Sequence, residues 1–196
     1  KNDPGVPFRF EKSAREFNEE LYKTMEQKVV RAGLTYVTDL AKLGNAAIYG
    51  LSTSRGPIAY LTGTENKVST PKKGSDADIP ANAIDNAGEQ FALLRTENTP
   101  DGKYYLYNLS KQCFVRTDAD FSEYPAPVVW FSSTSSAAYP WFVWLGKDQR
   151  ININEDNGLI MCTALFASED AGNQFRIQYV KTDAAATAAA LEAIAL

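Results

Sequence analysis

The sequence predicts an all-β chain, a β-trefoil carrying an amphipathic helix at its N-terminal end and a short helix at its C-terminal end. Two observations lead there. The segment AGEQFALL at Ala87–Leu94 returns as AGNQFRIQ at Ala171–Gln178, with a weaker copy, AYPWFVWL, between them at Ala138–Leu145. Before each copy stands a run with the alternation and turn residues of a two-strand hairpin: Ile48–Leu61, Tyr104–Thr117 and Arg150–Ala164. Three cycles of hairpin, loop and aromatic-bearing strand are the pattern of a trefoil, and they divide the chain into residues 1–35, a trefoil over 36–180 and a C-terminal helix over 181–196.

The elements follow in order. Phe10, Ala14, Phe17, Leu21, Met25 and Val29 line one face of a predicted helix over Phe8–Ala32. Acidic residues stand early in it, Lys28 and Arg31 late, and Gly33 ends it. Such a helix either packs across the domain or docks a partner. From Ile48 to Val180 the chain is rich in Tyr, Ile, Val, Phe and Thr, with Gly, Asn, Asp and Pro as punctuation. Displacing the first hairpin by 56 residues sets Tyr49, Leu51 and Ile58 on Tyr105, Tyr107 and Phe114. Displacing it by 102 sets them on Ile151, Ile153 and Ile160. The turns Arg55-Gly56, Lys111-Gln112 and Asn157-Gly158 then coincide, and Asn-Gly is a strong hairpin signal. In the closing strands Phe91, Phe142 and Phe175 coincide and are expected to be buried together. The polar stretch Lys67–Ile79 carries the longest insertion. Finally, TDAAATAAALEAIAL at Thr182–Leu196 starts on a Thr-Asp cap and reads as a helix with almost no polar face. That helix either packs on another body or lies against its own domain.

Bulk properties narrow the chemistry. With 196 residues, 44% hydrophobic, the chain can bury a substantial core. A net charge of −4 argues against nucleic acid or an anionic membrane as the main partner, since both require a basic face. No apolar run approaches the roughly 20 residues of a membrane span. The chain has no histidine, which removes the Ser–His–Asp triad, the Cys–His pair and His-ligated zinc. Its two cysteines, Cys113 and Cys162, are too few for a structural zinc site, and the sequence leaves open whether they are bridged. Neither a Gly-rich phosphate loop nor GxSxG is present. The expectation is therefore a non-catalytic chain with no cofactor and no metal.

The stretches Asp85–Phe91 (DNAGEQF) and Glu169–Phe175 (EDAGNQF) resemble the end of a repeat in the ricin-type β-trefoil lectins. In that family the closing strand tends to carry Gln-x-Trp after small and polar residues. Here Gln adjoins the aromatic residue, which is Phe, and the second repeat has Pro140-Trp141-Phe142 instead. The resemblance covers about Ala47–Val180. It implies a carbohydrate-binding, lectin-like module of a larger secreted or surface protein, with a glycan or cell-surface polysaccharide as ligand. A protein partner would dock through the terminal helices. The alternative is a protein-interaction or structural trefoil without sugar binding.

A sugar pocket needs an aromatic face for the apolar side of a pyranose and fixed polar groups for its hydroxyls. The second repeat supplies Asp118, Asp120, Tyr124 and Trp130 within one loop and strand. The third supplies Asn152 and Asn154, which alternate with Ile151 and Ile153 and so share one strand face. These six are the candidate ligand-binding residues. The ordinary alternatives are a core position for one of Trp130 and Phe131, loop solvation for the aspartates and a solvent-facing strand for the asparagines.

Overall fold

The computed structural model describes residues 36–57, 59–60, 68–69, 87–154, 160–163 and 170–196. The chain forms two compact units, Lys1–Gly33 and Leu34–Leu196, and the described residues belong to the second. The N-terminal helix expected over Phe8–Ala32 and the Lys67–Ile79 insertion fall largely or wholly outside them.

The second unit is built of antiparallel strands. In chain order they are β1 (Ala47–Thr53), β2 (Gly56–Pro57), β3 (Ala59–Tyr60), β4 (Val68–Ser69), β5 (Phe91–Leu94), β6 (Tyr105–Asn108), β7 (Cys113–Val115), β8 (Phe121–Ser122), β9 (Val129–Ser133), β10 (Trp141–Leu145), β11 (Gln149–Ile153), β12 (Ile160–Thr163) and β13 (Gln174–Thr182). One sheet runs β12-β11-β10-β13-β1-β5-β6-β7-β8, with β2 added to β1 and β9 to β10, and β3 pairs with β4 separately. Each predicted hairpin run carries antiparallel partners: Thr53 opposite Gly56, Asn108 opposite Cys113, and Ile153 opposite Ile160. The Asn157-Gly158 turn lies outside the described residues. The 3₁₀ segments Leu40–Lys42 and Ala87–Glu89 and one α-helix, α1 (Ala184–Ala195), complete the described elements. Among these residues no helix is long and apolar enough to cross a membrane.

Two apolar clusters occupy opposite sides of the sheet. The larger gathers Tyr49 and Leu51 of β1, Phe91 and Leu93 of β5, Val129 and Phe131 of β9, and Trp141, Val143 and Leu145 of β10. Ile151 and Ile153 of β11 and Phe175 and Ile177 of β13 complete its strand faces. Burial of this many aliphatic and aromatic groups is the main favourable term in folding the unit. The smaller cluster holds Ile48, Ala92, Leu94, Tyr107 and Phe114 against Ala190 of α1, with Ala186, Leu191, Ala193 and Ile194 packed around it. The alanine-dense helix therefore lies on its own sheet. Asp183 caps it, accepting a hydrogen bond from the Ala186 N–H at 3.1 Å.

Phe91, Phe142 and Phe175 are all buried, but they do not share one core. Phe91 and Phe175 belong to the larger cluster, whereas Phe142 points to the other side of β10, its ring 4.8 Å from the Arg150 guanidinium carbon. Its neighbour Trp141 takes the inward position and donates its indole N–H to the Val37 carbonyl at 2.8 Å. The same displacement occurs in β6: Tyr104 and Leu106 face the larger cluster, and Tyr107 and Phe114 face α1. In the second hairpin the expected register is off by one residue, and one step exchanges the two faces of a strand.

Candidate functional site

The hairpin of β9 and β10 carries an aromatic pair on the side away from the larger core. Val129 and Phe131 alternate inward, so Trp130 and Ser132 face out; Trp141, Val143 and Leu145 alternate inward, so Phe142 and Trp144 face out. The register sets Trp130 directly opposite Trp144, and Trp144 opposite Arg150 on β11. On the other side of β9, Tyr104 pairs with Val129. Four chain segments thus bring Lys103, Trp130, Trp144 and Arg150 into one row.

The row is a continuous stack. The indole rings of Trp130 and Trp144 lie 4.8 Å apart between centroids and 8° from parallel. The Lys103 ammonium stands 5.4 Å from the Trp130 centroid, and the Arg150 guanidinium carbon 5.1 Å from that of Trp144. Cations over indole faces are drawn to the negative face of the ring quadrupole. Both indole N–H groups are held as well: Trp130 donates to the Gly146 carbonyl and Trp144 to the Ser132 hydroxyl, each at 2.8 Å. Gly146 makes the tight turn after β10 at φ 67°, and its N–H bonds to the Val128 carbonyl at 2.7 Å. The two rings are therefore preorganised, while both stay half-exposed.

The six sequence candidates distribute unevenly around this row. Trp130 is a member of it. Asp118 is exposed and closes its own turn, its carboxylate accepting from the Asp120 N–H at 3.3 Å. Partial burial raises the Asp118 pKa, but hydrogen bonds from the Asp120 and Asp118 backbone, together with nearby Arg116, outweigh that and hold it below the usual carboxylate value. Asp120 is half-buried in the same turn, and its carbonyl accepts from the Arg116 N–H at 2.9 Å. Tyr124 is 81% exposed, with its N–H on the Ser122 hydroxyl. Asn154 is half-buried at the end of β11. Asn152 is 1% exposed and so reaches no surface ligand; it sits where the Gly172 backbone passes close to Asn152 Oδ1. The aspartate turn approaches the row through Thr117, whose methyl lies against Gly146.

Lys103, Trp144 and Arg150 escape a reading of the sequence because they come from separate segments. The β9–β10 register brings them together, and it is set by a connection of seven residues, Thr134–Pro140, tied by its own hydrogen bonds. Thr134 donates its hydroxyl to the Tyr139 carbonyl at 2.7 Å, and the Thr134 N–H reaches the Pro140 carbonyl at 2.9 Å.

A second stack lies on β13. The Arg176 guanidinium carbon stands 4.9 Å from the Tyr36 ring and 5.0 Å from the Tyr139 ring, and its Nε donates to the Ser52 hydroxyl at 3.2 Å. Arg176 is buried, so this stack ties strands together beneath the surface. Cys113 is a free, half-buried thiol whose pKa is raised by burial.

No protein-family model matches the chain, and no curated protein matches it. Among solved structures it is similar to the GlcNAcα1-4Gal-releasing endo-β-galactosidase from Clostridium perfringens, at 13% identity over 69% of this chain and 33% of that one, with a TM-score of 0.47. It is also similar to Cry35Ab1, at 15% identity over 71% of this chain and 37% of that one, with a TM-score of 0.49. The chain spans about a third of the length of both. Likenesses of this strength transfer no function.

Proposed function

We propose that this chain is a non-catalytic carbohydrate-binding module of β-trefoil type, and that the outer face of the β9–β10 hairpin is its ligand surface. The observation that carries the reading is the preorganised, half-exposed pair of Trp130 and Trp144. A pyranose offers an apolar face of C–H groups, and an indole held in place by hydrogen bonding and stacking meets it at little entropic cost. Trp144 is enclosed between Trp130 and Arg150, so Trp130 is the ring that a sugar would contact.

The trefoil architecture is supported by partner exchange along single strands. β1 pairs with β5 through Ile48 and Tyr49 and with β2 through Ser52 and Thr53, on the edge opposite β13. β10 pairs with β13 through Trp141 and Phe142 and with β11 through Trp144 and Leu145, on the edge opposite β9. Strands that begin in a barrel and end in a hairpin make this exchange. A non-catalytic role accords with a chain that has no histidine, and attachment to polysaccharide would suit a part of a larger secreted or surface protein.

The test is a titration of tryptophan emission with a panel of oligosaccharides. A binding sugar shifts or quenches the emission, and Trp130→Ala abolishes the response while circular dichroism shows a folded chain. Unchanged affinity in folded Trp130→Ala would overturn the assignment of this face. A panel without a single binder would overturn the carbohydrate reading and favour a protein ligand.

A further inference from the structure

Lys103 has no acidic partner among the described residues. Ion pairs join Arg55 to Asp170, Arg95 to Asp101 and Lys181 to Asp183. Lys103 takes part in none of these. Its ammonium reaches the Gly146 carbonyl at 3.3 Å and the Trp130 ring at 5.4 Å. The first contact is long for a charged donor, and the second is a weak attraction at a half-exposed site. A lysine stem has four rotatable bonds, so the ammonium leaves both at small cost.

Its position decides what leaving would do. Tyr104 pairs with Val129 on the edge of β9 that faces away from β10, with N–H to carbonyl bonds of 2.8 and 3.1 Å. Lys103 and Trp144 therefore approach Trp130 from opposite sides. One indole face is stacked on Trp144, and the ammonium lies over the other. The sugar-facing surface of Trp130 and the unpaired positive charge occupy the same place. A neutral sugar must displace the charge and leave it without a partner; a sugar with a negative substituent displaces it and supplies one.

We propose that the ligand of this face is an acidic glycan, carrying a sulfate or carboxylate group, and that Lys103 is the specificity-determining contact. The inference rests on the carbohydrate-binding reading above. On binding, the ammonium moves from the ring to the anionic substituent, and the uncovered indole face receives the pyranose. No bond is made or broken.

The experiment uses the full chain and three probes of matched length: a sulfated oligosaccharide without uronate, an oligouronate without sulfate, and a neutral oligosaccharide. Binding is read by tryptophan emission and calorimetry at about 50 mM and about 500 mM salt. At least one acidic probe is expected to bind on the order of tenfold tighter than the neutral one, as for gain of a charged hydrogen bond. Lys103→Gln removes that difference, Lys103→Arg retains most of it, and high salt narrows it. Thermal melts establish that both variants fold. Which acidic probe binds identifies the substituent. A neutral probe that binds as tightly as the acidic ones, with Lys103→Gln unchanged, overturns the charge inference and leaves the carbohydrate reading standing. Acidic probes that bind folded Trp130→Ala at full strength overturn it too, because the charge would then act elsewhere. If no probe binds, both readings fail.

Discussion

Replacing Gly172 with alanine probes a close approach of two chain segments. A Cβ there would collide with the Ile153 carbonyl oxygen and the Arg55 guanidinium, and would lie 2.9 Å from Asn152 Oδ1. None of the three moves freely. The Ile153 N–H donates to the Gly172 carbonyl at 2.9 Å, which locks the two backbones together. Arg55 Nη1 is shared between the Ile153 carbonyl at 2.8 Å and Asp170 Oδ1 at 2.9 Å. Asn152 is buried. Overpacking of this kind costs about 1–3 kcal/mol. Expelling Arg55 instead forfeits a charged hydrogen bond of about 1.5–3 kcal/mol, and its partly exposed pair with Asp170 adds at most about 1 kcal/mol. Relaxation takes one route or shares them, so Gly172→Ala is expected to lose about 2–4 kcal/mol. Equilibrium unfolding in urea measures this as a lower midpoint at unchanged slope. Gly44→Ala is the control, since nothing lies within 4 Å of its Cβ position, and it should stay within about 0.5 kcal/mol of the parent. A loss below about 1 kcal/mol for Gly172→Ala would refute the packing of Arg55, Ile153 and Gly172 described above.

Further outcomes follow from the same geometry. Two parallel indoles at 4.8 Å should give a coupled circular-dichroism band that Trp130→Ala and Trp144→Ala both abolish and Trp141→Phe leaves in place. Trp130→Ala should also cost about 1–3 kcal/mol in denaturant melts, the sum of a ring stack and one hydrogen bond. Trp141→Ala should destabilise by about 3–5 kcal/mol and by more than Phe142→Ala; the reverse order would restore Phe142 to the core. The Asp183 carboxyl is held below its ordinary value by the Lys181 ammonium and the Ala186 N–H. A depressed folded-state pKa contributes stability that is full above the unfolded value of 3.8 and is lost as pH falls through the folded one. Helical signal from α1 should therefore fall in acid, and Asp183→Asn, which keeps a cap without the charge, should flatten that profile. The Cys113 thiol, raised by burial, should react with a thiol reagent at neutral pH more slowly in the folded chain than in the unfolded one.

The three hairpin runs were legible because their turn residues and apolar alternation mark both strands, and α1 because Asp183 precedes an uninterrupted helix former. The register of the second hairpin was not, for a physical reason. The runs Tyr104–Tyr107 and Trp141–Leu145 are apolar at every position, so a period of two cannot tell one face from the other. Two oddities of the sequence explain each other. Tyr107 and Phe114 face outward on a sheet, and α1 lacks a polar face, because each covers the other. The exposure of the ligand candidates was half legible. Trp130 stood out as an aromatic residue on an alternating strand, but Asn152, polar by type, is buried by the close passage of Gly172. Polarity on a strand does not reveal which side a later loop will cover.

The contrast between the two outer faces bears on function. On β6 and β7 the outward aromatic residues Tyr107 and Phe114 are covered by α1. On β9 and β10 the outward residues are as large, yet among the described residues no helix covers them, and Trp130 and Trp144 remain half-exposed. Stability alone does not call for two indoles there. A cross-strand pair of threonines would keep the strand pairing and expose less apolar surface. Half-exposed aromatic groups held in place by hydrogen bonds and neighbouring cations are a cost in solubility, which accords with the proposed ligand surface. The two indoles are also tied to the fold, Trp130 through Gly146 and Trp144 through Ser132 and the β10–β11 pairing. A ligand of the proposed kind would therefore meet two indoles that are already arranged.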